Sequence, residues 1–269
     1  MELLSLKGHE VRVIDYEILW NKEEKRELVS KHKVISNVSN IYERSNVTLI
    51  RPLLIKIPIL DYLSLIFSRK KEINKQIKYF KPDIIIGLQI LTPYIAVKAS
   101  KNSNIPFIYY WTDVYHTQIP FRGYRPLGKY LEKRIIKKAD SVIVINDQLK
   151  DYVVGLGRDP EKIHIQKAGI NFNIFNNKVD NLWIFKKYEI NSNDIILFFV
   201  GWLYNFSGLK EITIELSKVK NKFPNLKLMI VGEGDAFEDL KEIKEKYNLG
   251  NNLILTGKQS YDKVPDFIS

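Results

Sequence analysis

Residues 224–257 read PNLKLMIVGEGDAFEDLKEIKEKYNLGNNLILTG, and this stretch decides the fold class. The run at 226–231 is short, almost continuously apolar, and bounded by Pro-Asn before it and Gly-Glu-Gly after it, so it reads as a strand covered on both faces. A helical stretch follows over about 236–248, and a second apolar run stands at 253–256. Strand, helix and strand in that order form a βα repeat of a parallel sheet flanked by helices.

The same alternation extends outward through the chain. Short apolar runs occur at 11–14, 83–87 (DIIIG), 106–111 (PFIYYW), 141–145 (SVIVI), 163–166 and 195–200 (IILFFV). Helical stretches fall at about 60–80, 93–103, 126–139, 147–156 and 208–222, several of them ending in Gly or before Pro. Residues 171–194 are rich in Asn and lack a sustained period, which marks an interdomain connection with the boundary near 180–193. The sequence therefore predicts two Rossmann-like, doubly wound α/β domains, 1–180 and 181–269, the second incomplete because it holds about three strands. Ligands of such sheets bind at the carboxyl ends of the strands.

Composition narrows the chemistry. The 269 residues include no Cys, which removes disulfides, thiolate zinc sites, iron–sulfur clusters and a cysteine nucleophile. His9, His32, His116 and His164 have no metal-binding spacing, so no protein-held metal is expected. The net charge is +11, and residues 1–180 carry 30 Lys+Arg against 19 Asp+Glu while 181–269 carry 12 of each. All the excess basicity lies in the first domain, where an anionic partner or ordinary solvated helix faces would account for it. The start, MELLSLKGHE, has no secretory pattern, and the longest apolar stretch, 52–67, is broken by Lys56 and Asp61. No Gly-x-Ser-x-Gly elbow supports hydrolase chemistry, no finger, KH or RRM pattern supports nucleic-acid binding, and Phe237 replaces the third glycine of a dinucleotide fingerprint at Gly232-Glu233-Gly234.

Three segments carry a family resemblance: 137–175 (KKADSVIVINDQLKDYVVGLGRDPEKIHIQKAGINFNIF), 195–211 (IILFFVGWLYNFSGLKE) and 224–257. Their order and spacing resemble the retaining, nucleotide-sugar-dependent glycosyltransferases of family 4, which have the GT-B fold. The resemblance implies transfer of a sugar from a nucleotide-sugar donor to a glycan or lipid-linked acceptor, as in cell-envelope polysaccharide synthesis, without a cofactor. It also implies that a first strand with its Gly-rich loop and a C-terminal Glu-x7-Glu segment are absent here. An open slot or exposed apolar edge is then expected in the first sheet, and the activity of the chain as it stands is in question. A non-catalytic remnant, one piece of a split enzyme, or a sugar-nucleotide epimerase on the same fold are the alternatives.

The resemblance also points to site residues. A leaving diphosphate needs cations or helix N-termini near the developing charge. The family's Arg and Lys fall on Trp202 and Ser207, neither of them cationic, beside Gly201 and Gly208, so either Lys210 or another basic group reaches in or the donor is not a free nucleoside diphosphate; the donor side is assigned to Gly201, Trp202, Ser207, Gly208, Lys210, Glu233, Gly257 and Lys258. Trp202 would stack on a base or sugar, or pack against the sheet. Asp113 matches the second residue of the family's His-Asp pair while Thr112 replaces the His, and His116 follows three residues later; Asp113 and His116 are the catalytic candidates. Thr112, Tyr115, Arg122 and Arg125 are assigned to the acceptor side. Tyr109, Tyr110, Trp111 and Tyr115 would stack on sugar faces or pack in the core. The basic stretches at 69–78 and 129–138, with the apolar 60–67, fit a chain that sits in the cytoplasm and rests on an anionic membrane surface, or ordinary amphipathic helices.

Overall fold

A computed structural model describes the chain except residues 16–27, 40, 43, 58–59, 120, 171, 176–180 and 269. It divides into two compact units, Met1–Gly169 and Ile170–Ser269.

Unit 1 runs α1 (Glu2–Leu6), β1 (Val11–Ile14), β2 (Val29–Ser30), β3 (Lys33–Val38), β4 (Val47–Arg51), β5 (Leu54–Ile55), α2 (Leu60–Tyr79), β6 (Ile85–Gly87), α3 (Leu91–Asn102), β7 (Phe107–Trp111), α4 (Arg125–Lys138), β8 (Ser141–Val144), α5 (Asp147–Gly155) and β9 (Ile163–Ile165). Strands β6-β7-β8-β9 form a parallel sheet in that order. A second sheet has the order β1-β4-β3, with β1 parallel and β3 antiparallel to β4. Among the described residues β1 and β6 are not paired to each other, so each stands at a sheet edge. Arg69 of α2 reaches both regions, donating to the Ile14 carbonyl at 3.2 Å and to Thr92 Oγ1 of α3 at 3.4 Å.

The core of unit 1 follows from the pleat of β7. Phe107, Tyr109 and Trp111 are two residues apart, point to one face, and are fully buried with Ile135, Ile136, Val142, Val144 and Val153. Tyr109 and Trp111 therefore pack inside the domain and do not offer ring faces to a sugar. Asn146 caps α5 by accepting from the Leu149 amide at 2.8 Å, which leaves Asp147 in the first turn, where the helix dipole favours it.

Unit 2 contains α6 (Phe172–Phe175), α7 (Leu182–Lys187), β10 (Ile195–Val200), α8 (Leu209–Val219), β11 (Leu226–Val231), α9 (Phe237–Lys246), β12 (Leu253–Gly257) and α10 (Val264–Ile268). Its parallel sheet has the order β10-β11-β12. The segment expected to be an interdomain connection behaves differently. Residues 171 and 176–180 lie outside the described residues, but α7 is a helix, and Ile184 and Ile190 are buried with Met229, Val231, Ile254 and Phe267. A six-residue helix held by one buried face leaves too short a periodic signal to detect.

Two further departures concern strands. Strand β11 is buried along nearly its whole length, whereas Ile195, Leu197, Phe198 and Val200 of β10, which pairs only with β11 among the described residues, are exposed. The short strands β2, β3 and β5 have no apolar run to announce them. Strand β3 (KVISNV) is mostly exposed, and its register against β4 shifts between Ile35 and Val38.

Candidate functional site

The candidate residues form two groups, one in each unit, both at the carboxyl ends of parallel strands. In unit 1 the group begins where β7 stops. Asp113 Oδ1 accepts from the Val114 amide at 2.6 Å and its Oδ2 from Gln118 Nε2 at 2.6 Å, so both oxygens hold the loop that carries it. Thr112 Oγ1 and the Tyr115 hydroxyl are 2.7 Å apart. Arg125, at the start of α4, donates from Nε to the Ile119 carbonyl at 3.1 Å, and Arg122 is exposed in the turn before it.

His116 is turned inward, toward a residue that the sequence reading did not select. Glu132 of α4 is 1% exposed; its Oε2 meets His116 Nδ1 at 2.5 Å, and its Oε1 accepts from Trp111 Nε1 and from the His116 amide, each at 3.2 Å. The sequence contained a signal for this. Gly128, Glu132, Ile135 and Ile136 are spaced four, three and one apart, which places Glu132 on the buried stripe of an otherwise cationic helix. Gly128 makes the approach possible: a Cβ there would stand 2.4 Å from Ile119 Cδ1 and 3.1 Å from His116 Cβ. Nearby, the Tyr109 hydroxyl donates to the Gln89 carbonyl at 2.6 Å, and burial, together with Glu132 and Tyr115, pushes its pKa far above the ordinary phenol value.

In unit 2 the group is a loop pinned by backbone hydrogen bonds. The Gly201 amide donates to Val231 O, the Leu203 amide to Glu233 O, the Ala236 amide to Leu203 O and the Gly232 amide to Gly257 O, each at 3.0 Å. Gly232, at φ 146°, lies so close to the first strand end that an added Cβ would be 1.9 Å from Gly201 O. Leu203 is fully buried beneath the loop, and its neighbours Trp202 and Tyr204 project outward. Tyr204 stacks on Phe206 with centroids 4.8 Å apart, and Trp202 is 6.4 Å from Tyr204, so three partly exposed rings stand in a row. Gly208, in the left-handed region, then starts α8, whose first amides lack intrahelical partners.

The electrostatics of this loop are balanced. Lys210 Nζ contacts Asp239 Oδ2 at 2.9 Å and Asn205 Oδ1 at 3.3 Å, and Lys258 Nζ contacts Glu233 Oε1 at 2.9 Å. Ser207 Oγ donates to the Tyr204 carbonyl at 2.7 Å. The two lysines assigned to the donor side thus have carboxylate partners, in exposed pairs that contribute little and are readily exchanged. Beside the loop, a cavity of ≈ 340 Å³ is lined by residues that include Phe198, Phe199, Ser207, Gly208 and Ile212. Among the described residues no three His, Asp or Glu side chains are grouped to hold a metal.

Residues 2–173 match the model for Glycosyltransferase Family 4, and residues 181–269 match that for Glycosyl transferases group 1. A glycosyltransferase of Methanocaldococcus jannaschii, itself uncharacterised, is 25% identical over 210 residues, 72% of this chain and 50% of the relative. Among solved structures, sucrose-phosphate synthase from Thermosynechococcus elongatus aligns with a TM-score of 0.68 at 16% identity, over 99% of this chain and 65% of that one. HepE from Anabaena, solved in complex with UDP, aligns with a TM-score of 0.59 at 17% identity, over 82% of this chain and 58% of that one. Both share the fold. The chain spans about half the length of the first curated relative it matches.

Proposed function

The chain belongs to Glycosyltransferase Family 4, and from that premise we propose that it serves the transfer of a sugar, with retention, from a nucleotide-sugar donor to a glycan or lipid-linked acceptor. The observation that carries this reading is the glycine-built loop of unit 2. It is locked before any ligand arrives and presents Trp202, Tyr204 and Phe206 as ring faces beside the N-terminus of α8. In this reading the rings hold the base or sugar, the α8 amides and Ser207 meet the diphosphate, and Lys210 and Lys258 leave their surface carboxylates to join them. Gly201, Gly208, Glu233 and Gly257 shape the loop. On the acceptor side Asp113 and His116 stand nearest the chemistry, with Thr112, Tyr115, Arg122 and Arg125 around them. That one solved structure sharing the fold carries UDP is consistent with a uridine nucleotide as the first donor to try.

The acceptor side also fits a membrane surface on the cytoplasmic face. Helices α2, α3 and α4 pack side by side, and their sequences contain 13 Lys+Arg against Asp61, Glu72 and Glu132, of which Glu72 and Glu132 are buried. Leu63, Phe67, Tyr124, Leu127 and Tyr130 are exposed among these cations, the combination that an anionic lipid surface attracts. Among the described residues no helix is long and apolar enough to cross a membrane.

Two measurements test the proposal. Saturation-transfer NMR against UDP and UDP-sugars is expected to show contacts from this chain, and radiolabelled donors are expected to release sugar in the presence of a membrane extract; no contact with any nucleotide would end the donor assignment. Flotation with vesicles containing phosphatidylglycerol is expected to carry the protein at low salt and lose it at high salt. Equal flotation with neutral vesicles would remove the electrostatic argument.

A further inference from the structure

Among the described residues Glu132 is the most deeply buried carboxylate. It sits 1% exposed inside a helix whose other charges face solvent, and burying it is costly unless each oxygen is satisfied. Both oxygens are satisfied, by partners of unequal kind. Trp111 Nε1 and the His116 amide are obligate donors, and together they fill Oε1. Oε2 is left for His116 Nδ1 alone, at 2.5 Å. A carboxylate can only accept, so the ring nitrogen facing it carries the hydrogen, and in the neutral ring that leaves the lone pair on Nε2. The His116 ring is 12% exposed, which keeps its orientation fixed while leaving part of it at the surface. It stands just past the carboxyl end of β7, where ligands of parallel sheets bind.

We propose that Glu132 is a positioning residue for the proposed sugar transfer: it holds His116 in the Nδ1–H form so that Nε2 is presented as a hydrogen-bond acceptor to a hydroxyl of a bound sugar. The logic is that of any base oriented by a buried acid, in which one partner sets the tautomer and the other touches substrate. The inference rests on the assignment of His116 to the acceptor side. Gly128 belongs to the same device, since it lets α4 come close enough for the contact.

The decisive measurement is the tautomer of His116 in the whole chain with 15N-labelled histidine. The four histidines are separated by their long-range proton–nitrogen correlations, with His116→Gln identifying the resonance. The expected result is a protonated Nδ1 and a lone-pair Nε2 in the unaltered protein, and a large Nε2–H fraction in Glu132→Gln, whose amide can donate to Nδ1. A dominant Nε2–H form in the unaltered protein overturns the proposal, and so does a tautomer ratio unmoved by Glu132→Gln. If Glu132→Gln does not fold, the unaltered protein's tautomer decides alone. Where a donor is turned over, Glu132→Gln is expected to lower kcat about tenfold with donor KM little changed, and to add nothing to His116→Gln; additive losses would also refute it. Absence of turnover with every donor would count against the proposed function while the tautomer result stands on its own.

Discussion

Replacing Gly232 by alanine tests whether the unit 2 loop is set by backbone contact. The backbone there has φ 146°, a region essentially confined to glycine, and a side chain forced into it costs about 1–3 kcal/mol. The new Cβ would stand 1.9 Å from Gly201 O, so one strand end must move by roughly 1 Å, an overpacking strain of about 1–3 kcal/mol. Together these predict a loss of about 3–5 kcal/mol, felt first by the hydrogen bonds from Gly201, Leu203 and Ala236. Gly208 provides the control. It also has positive φ, 75°, but nothing lies within 4 Å of an added Cβ, so Gly208→Ala should cost only about 1–2 kcal/mol. The assay is hydrogen exchange read by mass spectrometry over peptides spanning 198–208 and 230–240. Loop amides should lose about a hundredfold or more of protection in Gly232→Ala and far less in Gly208→Ala. Equal losses in the two variants, or unchanged protection in Gly232→Ala, would refute the reasoning.

Other outcomes follow from single contacts. Trp202→Ala, which removes an exposed ring, should leave stability within about 0.5 kcal/mol and weaken any UDP-sugar binding about tenfold by titration calorimetry. Asp194 and Lys227 form a pair at 3.0 Å with both side chains 6% exposed, so Asp194→Asn should cost about 3 kcal/mol in urea unfolding of unit 2. Burial raises the Asp194 pKa, but the Asn191 amide and the hydrogen bond and charge of Lys227 outweigh it and hold the carboxyl below its ordinary value. A depressed folded pKa adds stability that is complete above the unfolded value of about 3.9 and vanishes as pH falls through the folded one. Acid titration by circular dichroism should therefore show a transition below pH ~4 that shrinks in Asp194→Asn. Phe107→Ala empties space in a fully buried site and should cost about 3–5 kcal/mol by thermal melting.

Much of this was legible in the chain itself. The apolar runs at 11–14, 195–200 and 226–231 coincide with β1, β10 and β11, and in β11, which is buried nearly throughout, the run is what a strand covered on both faces needs. The 3.6-residue period located α2, α4 and α9 to within a few residues. Short elements escaped because two residues, or a single six-residue helix, carry too little period: β2, β5 and α7 are made by their partners. Aromatic residues in PFIYYW could be placed on a strand, but only the packing of β7 showed that Phe107, Tyr109 and Trp111 all enter the core. Lys210 and Lys258 could be placed near the loop, but their carboxylate partners come from α9 and the Gly232 turn.

By itself, the sequence determined the class of fold, the order of its elements and the basic character of the first domain, since periodicity and charge are local properties of the chain. Tertiary structure alone decided what lies next to what across many residues. It brought Glu132 under His116, 16 residues apart, and set Gly232 against Gly201. Those contacts depend on burial and close approach, which no spacing along the chain encodes.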